Sequence, residues 1–165
     1  MPPRRRPRSS DPAVEGIVVN YRDVTERTEL ERRLRHQALH DALTGLPNRD
    51  LFYDRVGHAL GQRRRAGGLV GIVYVDLDNF KLINDALGHG AGDEVLIAVA
   101  RRLRTALRDA DTSARLGGDE FAVLLEDLDR PEDAYEAGAR VLDALSAPVH
   151  CAGQTVTVEA SGASW

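Results

Sequence analysis

The stretch of sequence that decides the fold is LVGIVYVDLD, residues 69–78. Its first part, residues 69–75, is a nearly continuous apolar run, which is typical of a central strand buried on both faces. Asp76 and Asp78 stand where this strand ends. Such a strand needs other strands beside it and helices over it, so the flanking sequence should supply both.

The sequence after this strand alternates between helical and strand patterns. A short helix is predicted over 80–87 and a longer one over about 93–108, where apolar residues recur on one helical face. Two strands, 112–116 and 121–125, flank a glycine-rich turn at 117–120, which is a hairpin signal. Alternating helices and strands with a hairpin indicate an α/β fold.

The remaining elements complete this pattern on both sides. A helix is predicted over 132–145, followed by two short strands, near Val149 and over 155–158. Before the central strand, a helix containing residues 51–60 is followed by a loop over 63–68. We therefore predict a central, mostly antiparallel sheet flanked by helices.

The first forty residues have a different character. Residues 1–12 are rich in Pro, Arg and Ser, and we interpret them as disordered. Residues 16–21 form a short β-branched run typical of one strand, and Asp23 offers an N-cap for a charged helix. The helix carries a narrow apolar stripe at four-residue steps, formed by Leu30, Leu34 and Ala38. This stripe is typical of a short coiled-coil seam.

Composition narrows the class of protein. The chain of 165 residues is 42% hydrophobic and 29% charged, which indicates a soluble globular protein. Its formal net charge of −4 gives no indication of nucleic-acid binding, and no apolar run approaches the ~18 residues of a membrane span. The single cysteine, Cys151, excludes an internal disulfide and favours the cytoplasm. None of the five histidines is assigned to chemistry.

Two sets of carboxylates are the strongest functional signal. Asp76 and Asp78 close the buried strand, whereas Asp119 and Glu120 lie in the glycine-rich turn. Crowded carboxylates repel one another unless a cation holds them, and hard oxygen ligands suit Mg²⁺ and substrate phosphates. The pattern favours metal-assisted phosphoryl or nucleotidyl transfer. On these residues alone, the acids are equally compatible with ordinary turn positions.

Four blocks of sequence carry a family resemblance. They are DALTGLPNR at 41–49, VDLDNFKLIND at 75–85, GHGAGD at 88–93 and RLGGDEF at 115–121. In order and spacing they resemble the motifs of the GGDEF diguanylate cyclase family, over about 41–158. The resemblance implies a nucleotide-cyclase, palm-like fold and the condensation of two GTP molecules into cyclic di-GMP and pyrophosphate at a dimeric site with Mg²⁺ or Mn²⁺.

The resemblance also implies roles for individual residues. Asp119 and Glu120 would be catalytic. The implied metal ligands are Asp76, the backbone carbonyl of Leu77, Asp119 and Glu120. The implied substrate-binding residues are Asn79, Phe80, Lys81, Asn84, Asp93, Gly117 and Gly118. Among these, Asn84 and Asp93 would read the guanine edge, and Lys81 would neutralise triphosphate charge. Without the resemblance, the favoured interpretation is that Lys81 is a solvated surface charge and Asn84 a residue on the polar face of a helix.

A further implied site binds the product. Arg108 and Asp111 precede Gly117 at the spacing of the family's RxxD inhibitory site, where arginine forks bind the phosphates of cyclic di-GMP. An arginine at a helix C-terminus also interacts favourably with the helix dipole, so this structural interpretation stays open.

The N-terminal part resembles another module. Residues 15–27 are similar to the last strand and exit of a PAS sensor domain, and the helix after them is similar to a signalling helix. The predicted organisation is a disordered basic N-terminus (1–14), a residual PAS-like strand (15–24), a signalling helix (25–43) and an incomplete GGDEF domain (44–165). The helix is the expected homodimer contact.

The resemblance weakens near the C-terminus. After the strand at 155–158, the family continues with a further strand, a helix and a phosphate clamp that bears Lys or Arg. We expect the helix and the clamp to be missing here, and the missing clamp would lower turnover. The alternative to a cyclase is therefore a catalytically silent GGDEF module that binds GTP or cyclic di-GMP, and a third possibility is a regulatory linker without a ligand.

Overall fold

The structure is a computed structural model, and it describes residues 25–157 and 159–164. The helices are α1 (Thr25–Leu39), α2 (Arg49–Ala66), α3 (Phe80–Leu87), α4 (His89–Ala106) and α5 (Pro131–Ser146). The strands are β1 (Leu69–Asp78), β2 (Thr112–Gly117), β3 (Glu120–Leu128), β4 (Val149–Cys151), β5 (Gln154–Val156) and β6 (Glu159–Ser164). The predicted residual strand before α1 lies outside the described residues.

A four-stranded sheet with the order β2-β3-β1-β6 forms the centre of the molecule. All three pairings within it are antiparallel, and β4 and β5 form a separate hairpin. The expected central, mostly antiparallel sheet flanked by helices is thereby confirmed. Strand β1 lies between β3 and β6, as its apolar sequence predicted.

Successive side chains of β1 face opposite sides of the sheet, and the core therefore has two layers. Val73, Val75 and Leu77 are buried in the larger layer, which also contains residues of α4 and α5. Ile72 and Tyr74 point to the other face, where they pack against a smaller layer that includes Phe52 of α2. Because successive strand residues face opposite sides, Asp76 emerges on the same face as Tyr74, where the sheet is no longer covered.

Helix α4 begins earlier than the apolar periodicity predicts. It starts at His89 rather than at about residue 93, because Gly88 adopts a φ of 85° that ends α3. The Gly88 carbonyl then accepts the backbone N–H of Ala91, which starts the next helix without an intervening loop. The two helices therefore meet at a single residue.

Two other predicted boundaries are also wrong. The predicted loop over 63–68 is helical as far as Ala66, and α2 ends only where the Gly67 N–H returns to the Arg63 carbonyl. The predicted strand over 155–158 is shorter, since β5 ends at Val156 and pairs with β4. Residues 159–164, EASGAS, lack β-branched side chains, but they form β6 and pair with the edge of β1.

None of the helices in the described part of the chain combines the length and the apolar character that crossing a membrane requires.

Candidate active site

The two predicted sets of acids meet at one end of the sheet. In the antiparallel register, Asp76 of β1 lies directly opposite Glu120 of β3, and Asp119 lies in the two-residue turn just before Glu120. Burial raises the pKa of Asp76 above its ordinary value, and the negative charges of Asp119, Asp78 and Glu120 raise it further. Four carboxylates therefore share one electrostatic environment.

The glycines of the turn adopt conformations that other residues rarely adopt. Gly117 has a φ of 149° and Gly118 a φ of 54°. The register between β2 and β3 also shifts between Arg115 and Gly117. A Cβ at either glycine would meet no atom within 4 Å, so backbone conformation, not space, requires glycine there. The turn thus presents Asp119 and an exposed stretch of backbone to solvent.

Arg115 holds this turn in place through hydrogen bonds and an ion pair. Its Nε and Nη2 atoms donate to the Gly118 carbonyl at 3.0 and 2.8 Å. Its Nη1 atom lies 3.1 and 3.2 Å from the two carboxylate oxygens of Asp41. Both side chains are mostly buried, with 13% and 24% of their surfaces exposed. A single guanidinium therefore connects the acid-bearing turn to the segment between α1 and α2.

Asp41 is itself held in place by its neighbours. Burial alone would raise the pKa of its carboxyl, but hydrogen bonds from the Thr44 hydroxyl and backbone N–H, together with Arg115, outweigh burial and lower the pKa. Arg104 of α4 in turn donates to the Thr44 carbonyl at 3.3 Å. The connection between α1 and α2 is thus tied to both the sheet and α4.

Arg49, the first residue of α2, contacts the other side of the turn. Its Nε donates to the Leu116 carbonyl at 3.2 Å, and its Nη2 lies 3.4 Å from a carboxylate oxygen of Glu120. Both side chains of this ion pair are about half exposed. Arg49 supplies positive charge beside the acids and is positioned by the start of α2, where the Asn48 side chain accepts the Leu51 N–H.

The donor set fits a hard divalent cation. The predicted ligands are carboxylate oxygens and the carbonyl of Leu77, whose own side chain is buried in the core. Within residues 25–157 and 159–164, no three side chains of His, Cys, Asp or Glu converge into a complete metal cage. Mg²⁺ can bind through one or two carboxylates and complete its shell with water and substrate phosphate. The mutual repulsion at Asp76 is the property that such a cation relieves.

The start of α3 offers groups for an anion. Asn79 occupies the N-cap in a left-handed conformation, with φ 61° and ψ 16°, and its side chain makes no capping hydrogen bond. The backbone N–H groups at a helix N-terminus carry partial positive charge and bind phosphate. Lys81, in the first turn, is exposed. These residues follow directly after the acids of β1.

Asn84 lies against Gly92, the residue before Asp93 in sequence, where α3 packs on α4. The Asn84 Oδ1 atom lies only 2.1 Å from the place that a Cβ would take at Gly92, the residue before Asp93. Gly92 itself is buried, whereas Asp93 is exposed. The absence of a side chain at Gly92 therefore allows the Asn84 amide to lie against the first turn of α4.

A cavity of about 380 Å³ opens on another side of α3, towards the β4–β5 hairpin. Asp78 and Asn79 line it together with apolar residues of α3, including Leu82 and Ile83. Neither Asn84 nor Asp93 is among its lining residues, so this cavity does not mark the expected guanine contact.

Arg108 and Asp111 lie in the loop between α4 and β2, and they differ in environment. Arg108 is exposed. The Asp111 carboxylate accepts the backbone N–H of Arg108 at 3.1 Å and that of Glu126 at 3.4 Å. Asp111 therefore shapes the loop, and only the Arg108 guanidinium is presented to solvent.

Comparison with known proteins decides the family. A family model described as "Diguanylate cyclase, GGDEF domain" matches residues 38–163. The chain belongs to this GGDEF family. The match begins within α1 and ends within β6, so it includes the acids, the turn and the α3–α4 pair.

Individual GGDEF proteins are similar over most of this chain. Diguanylate cyclase TpbB of Pseudomonas aeruginosa is 46% identical over 125 residues, which cover 75% of this chain and 29% of that protein. A solved structure of the GGDEF domain alone of TpbB, also called YfiN, has a TM-score of 0.73 at 42% identity, covering 76% of this chain and 73% of that one. The cyclic di-GMP phosphodiesterase NbdA of the same organism is 43% identical over 129 residues, 78% of this chain and 16% of that protein. The chain spans less than a third of the curated relatives it matches.

Three positions in this GGDEF domain gain a structural role that the sequence interpretation did not give them. Arg115 supports the acid-bearing turn, Arg49 pairs with Glu120, and Gly92 makes room for Asn84. All three lie within the motifs that carry the family resemblance. The ion pair of Arg49 joins residues 71 positions apart, and that of Arg115 joins residues 74 positions apart. A local sequence pattern cannot predict contacts over such separations.

Proposed function

We propose that the chain is the nucleotide-binding and catalytic part of a diguanylate cyclase. Two copies, each holding one GTP, would face each other and form cyclic di-GMP. The observation that carries the proposal is the position of Asp76 opposite Glu120, beside Asp119, in a chain of the GGDEF family. A catalytic function explains why repelling carboxylates are gathered at an open end of the sheet.

In this proposal, binding and orientation are divided between two parts of the site. Asn84 and Asp93 pair with the guanine edge through an amide and a carboxylate. Lys81 and the backbone N–H groups of Asn79 and Phe80 hold the triphosphate at the start of α3. The conformations of Gly117 and Gly118 leave backbone exposed beside the nucleotide.

The chemistry takes place beside the turn. A Mg²⁺ or Mn²⁺ ion held by Asp76, the Leu77 carbonyl, Asp119 and Glu120 would neutralise phosphate charge and polarise the α-phosphate. Asp119 accepts the proton of the ribose 3′-hydroxyl. The 3′-oxygen then forms a bond to the α-phosphorus of the partner copy's GTP, the bond between that phosphorus and the bridging oxygen breaks, and pyrophosphate leaves. A second transfer in the opposite direction closes the ring.

The reaction requires two copies, and α1 is the proposed contact between them. Leu30 and Leu34 expose 59% and 56% of their surfaces on a helix that is otherwise highly charged. Apolar residues at four-residue steps on a polar helix suit a coiled-coil seam, and pairing would cover them. Pairing through α1 would also bring two GTP-binding domains close enough to react.

A silent GGDEF module that binds GTP or cyclic di-GMP is the second candidate. It is favoured by the 43% identity to NbdA, a protein named for phosphodiesterase activity. The intact acids Asp119 and Glu120 favour the cyclase.

Product analysis separates the two candidates. The purified chain is incubated with GTP and Mg²⁺, and cyclic di-GMP and pyrophosphate are quantified by chromatography. A cyclase releases two pyrophosphates for each cyclic di-GMP, at a rate that rises more steeply than linearly with protein concentration. Magnesium-dependent GTP binding without either product would establish the silent module instead.

A further inference from the structure

Arg49, at the start of α2, contacts the acid-bearing turn and still has donors to offer a ligand. Its Nε donates to the Leu116 carbonyl at 3.2 Å, and its Nη2 lies 3.4 Å from a carboxylate oxygen of Glu120. A guanidinium carries five N–H donors, so these two contacts leave others available. The side chain is 55% exposed, and a ligand can therefore reach it.

Arg115 also contacts this turn, but its donors are already used within the protein. Its Nε and Nη2 both donate to the Gly118 carbonyl, and its Nη1 pairs with both carboxylate oxygens of Asp41. Only 13% of its side chain is exposed. Of these two arginines, Arg49 is the one that a ligand beside the acids can contact.

Arg49 lies on the face of the sheet where Asp76 emerges. A hydrogen bond with Tyr53 and burial raise the pKa of Tyr74, and the positive charge of Arg49 opposes that rise, so Arg49 lies near β1 as well as β3. Tyr74 and Asp76 are two residues apart in the strand and therefore share a face. Asp76 also lies opposite Glu120, the acid that Arg49 contacts. Arg49 is therefore a neighbour of the proposed metal ligands.

Two sources of positive charge approach the acids from opposite layers of the domain. Phe52 of α2 belongs to the smaller core layer, whereas Phe80, at the start of α3, packs against the larger one. The start of α3, with Lys81 in its first turn, therefore lies on one side of the sheet, and Arg49 lies on the other. A triphosphate that is bound at the start of α3 and extends past Asp76 would meet Arg49.

We propose that Arg49 is a substrate-binding residue that contacts the phosphates of GTP on the α2 side of the acids. This inference rests on the proposed function and adds a residue to its substrate site. Hydrogen bonds from arginine to phosphate are charge-assisted and frequently bidentate, because the planar guanidinium matches the phosphate oxygens. The positive charge of Arg49 also offsets the repulsion between the phosphates and the carboxylates.

The ion pair with Glu120 does not prevent this contact. Both side chains are about half exposed, and exposed ion pairs contribute little free energy because water screens them. Glu120 can therefore hold the guanidinium near the acids before the substrate arrives, and a phosphate can then replace it as a partner of Arg49.

Calorimetry with 3′-deoxy-GTP and Mg²⁺ tests the contact without turnover, because this nucleotide lacks the attacking hydroxyl. Arg49→Ala should weaken its binding by at least about tenfold, and Arg49→Lys should restore part of the loss, since lysine keeps the charge but not the planar fork. Binding of guanosine, which has no phosphate, should be unchanged in both variants. The matched control is Arg64→Ala, which removes an equal charge from an exposed position of α2 and should bind 3′-deoxy-GTP as the wild type does.

The possible results distinguish this inference from the proposed function. Equal affinity of the wild type and Arg49→Ala for 3′-deoxy-GTP would overturn the role of Arg49 and leave the proposed function in place. A matching loss of guanosine binding would also overturn it, because Arg49 would then support the site as a whole and not a phosphate contact. No binding of 3′-deoxy-GTP by the wild type would contradict the proposed function and this inference together.

Discussion

Asn84 occupies space that only a glycine at position 92 leaves free. Its side-chain oxygen lies 2.1 Å from the place of a Cβ at Gly92, and no pair of real atoms of this kind can approach so closely. The proposed guanine contact therefore depends on a residue that itself touches no ligand. This relationship makes the base specificity of the site testable through Gly92 alone.

Gly92→Ala should weaken GTP binding while changing ATP binding little. The new methyl group displaces the Asn84 amide, and an unmade hydrogen bond to guanine costs about 1–3 kcal/mol, or roughly five- to 150-fold in affinity. Gly90→Ala is the matched control, because it lies in the same turn of α4 and a Cβ there meets no atom within 4 Å. Calorimetry with Mg²⁺ and either nucleotide provides the measurement. Equal GTP affinity of the two variants would show that Asn84 does not read guanine.

Asp76→Asn should stabilise the protein in the absence of metal. The folded-state pKa of Asp76 is raised, so the charged carboxylate destabilises the folded state at pH values above that pKa, and the destabilisation disappears as the pH falls below it. Because Asp76 is exposed, the expected gain at neutral pH is only on the order of 0.5 kcal/mol.

The same substitution should remove the stabilising effect of Mg²⁺. Thermal unfolding with and without Mg²⁺ and GTP provides both comparisons. The wild type should gain stability with the ligands and the variant should not. If Mg²⁺ and GTP stabilise Asp76→Asn as much as the wild type, Asp76 is not a metal ligand.

The ion pair between Asp41 and Arg115 should make the fold sensitive to acid. The folded-state pKa of Asp41 lies below its ordinary value of 3.8, so its stabilising contribution is complete above that value and is lost as the pH falls through the folded-state pKa. Asp41→Asn should therefore cost about 1.5–3 kcal/mol at neutral pH and flatten the loss of stability below about pH 4.

Denaturant unfolding at several pH values measures this effect. Asp143→Asn, a change at an exposed position of α5, is the control and should leave the profile of the wild type unchanged. Parallel profiles for wild type and Asp41→Asn below about pH 4 would assign the acid sensitivity to other carboxylates.

Substitutions of Arg108 and Asp111 should have different effects, the first on cyclic di-GMP binding and the second on folding stability. Arg108→Ala should weaken the binding of cyclic di-GMP and leave GTP binding and stability nearly unchanged, because the side chain is exposed. Asp111→Ala removes the acceptor of two backbone N–H groups and should destabilise the loop by about 1 kcal/mol or more. Calorimetry with cyclic di-GMP and thermal unfolding distinguish these effects. A loss of GTP binding in Arg108→Ala would show that this residue belongs to the substrate site.

The sequence predicts the core of this fold well, because β1 is apolar on both faces and its neighbours carry clear periodicity. It fails at β6, where EASGAS has little strand preference and pairs only because β1 presents an open edge. It also places the start of α4 too late, since the apolar face begins after the helix does. Local sequence patterns predict the intrinsic secondary-structure preference of a residue. The limits of β6 and α4 depend instead on the neighbouring elements against which they pack.

The candidate site likewise contains residues that the sequence predicts and contacts that only the structure shows. The acids and the α3–α4 residues are found from motifs, and the structure brings Asp76, Asp119 and Glu120 to one end of the sheet. The ion pairs of Arg115 with Asp41 and of Arg49 with Glu120 join residues more than 70 positions apart, so no motif predicts them. The sequence therefore supplies the residues proposed for chemistry, and the structure shows the arginines that contact their segments.

The most direct measurement of the account is the rate of cyclic di-GMP formation from GTP by the wild type and Asp119→Asn across a Mg²⁺ titration. The substitution keeps the shape of the side chain and removes one negative charge and the proposed base, whereas Asp143→Asn removes an equal charge on α5. We predict that Asp119→Asn requires more Mg²⁺ and is slower by at least the ~10² expected for a positioned acid–base group, with Asp143→Asn unchanged. Equal rates of the wild type and Asp119→Asn at every Mg²⁺ concentration, or no product from the wild type at any of them, would contradict the account.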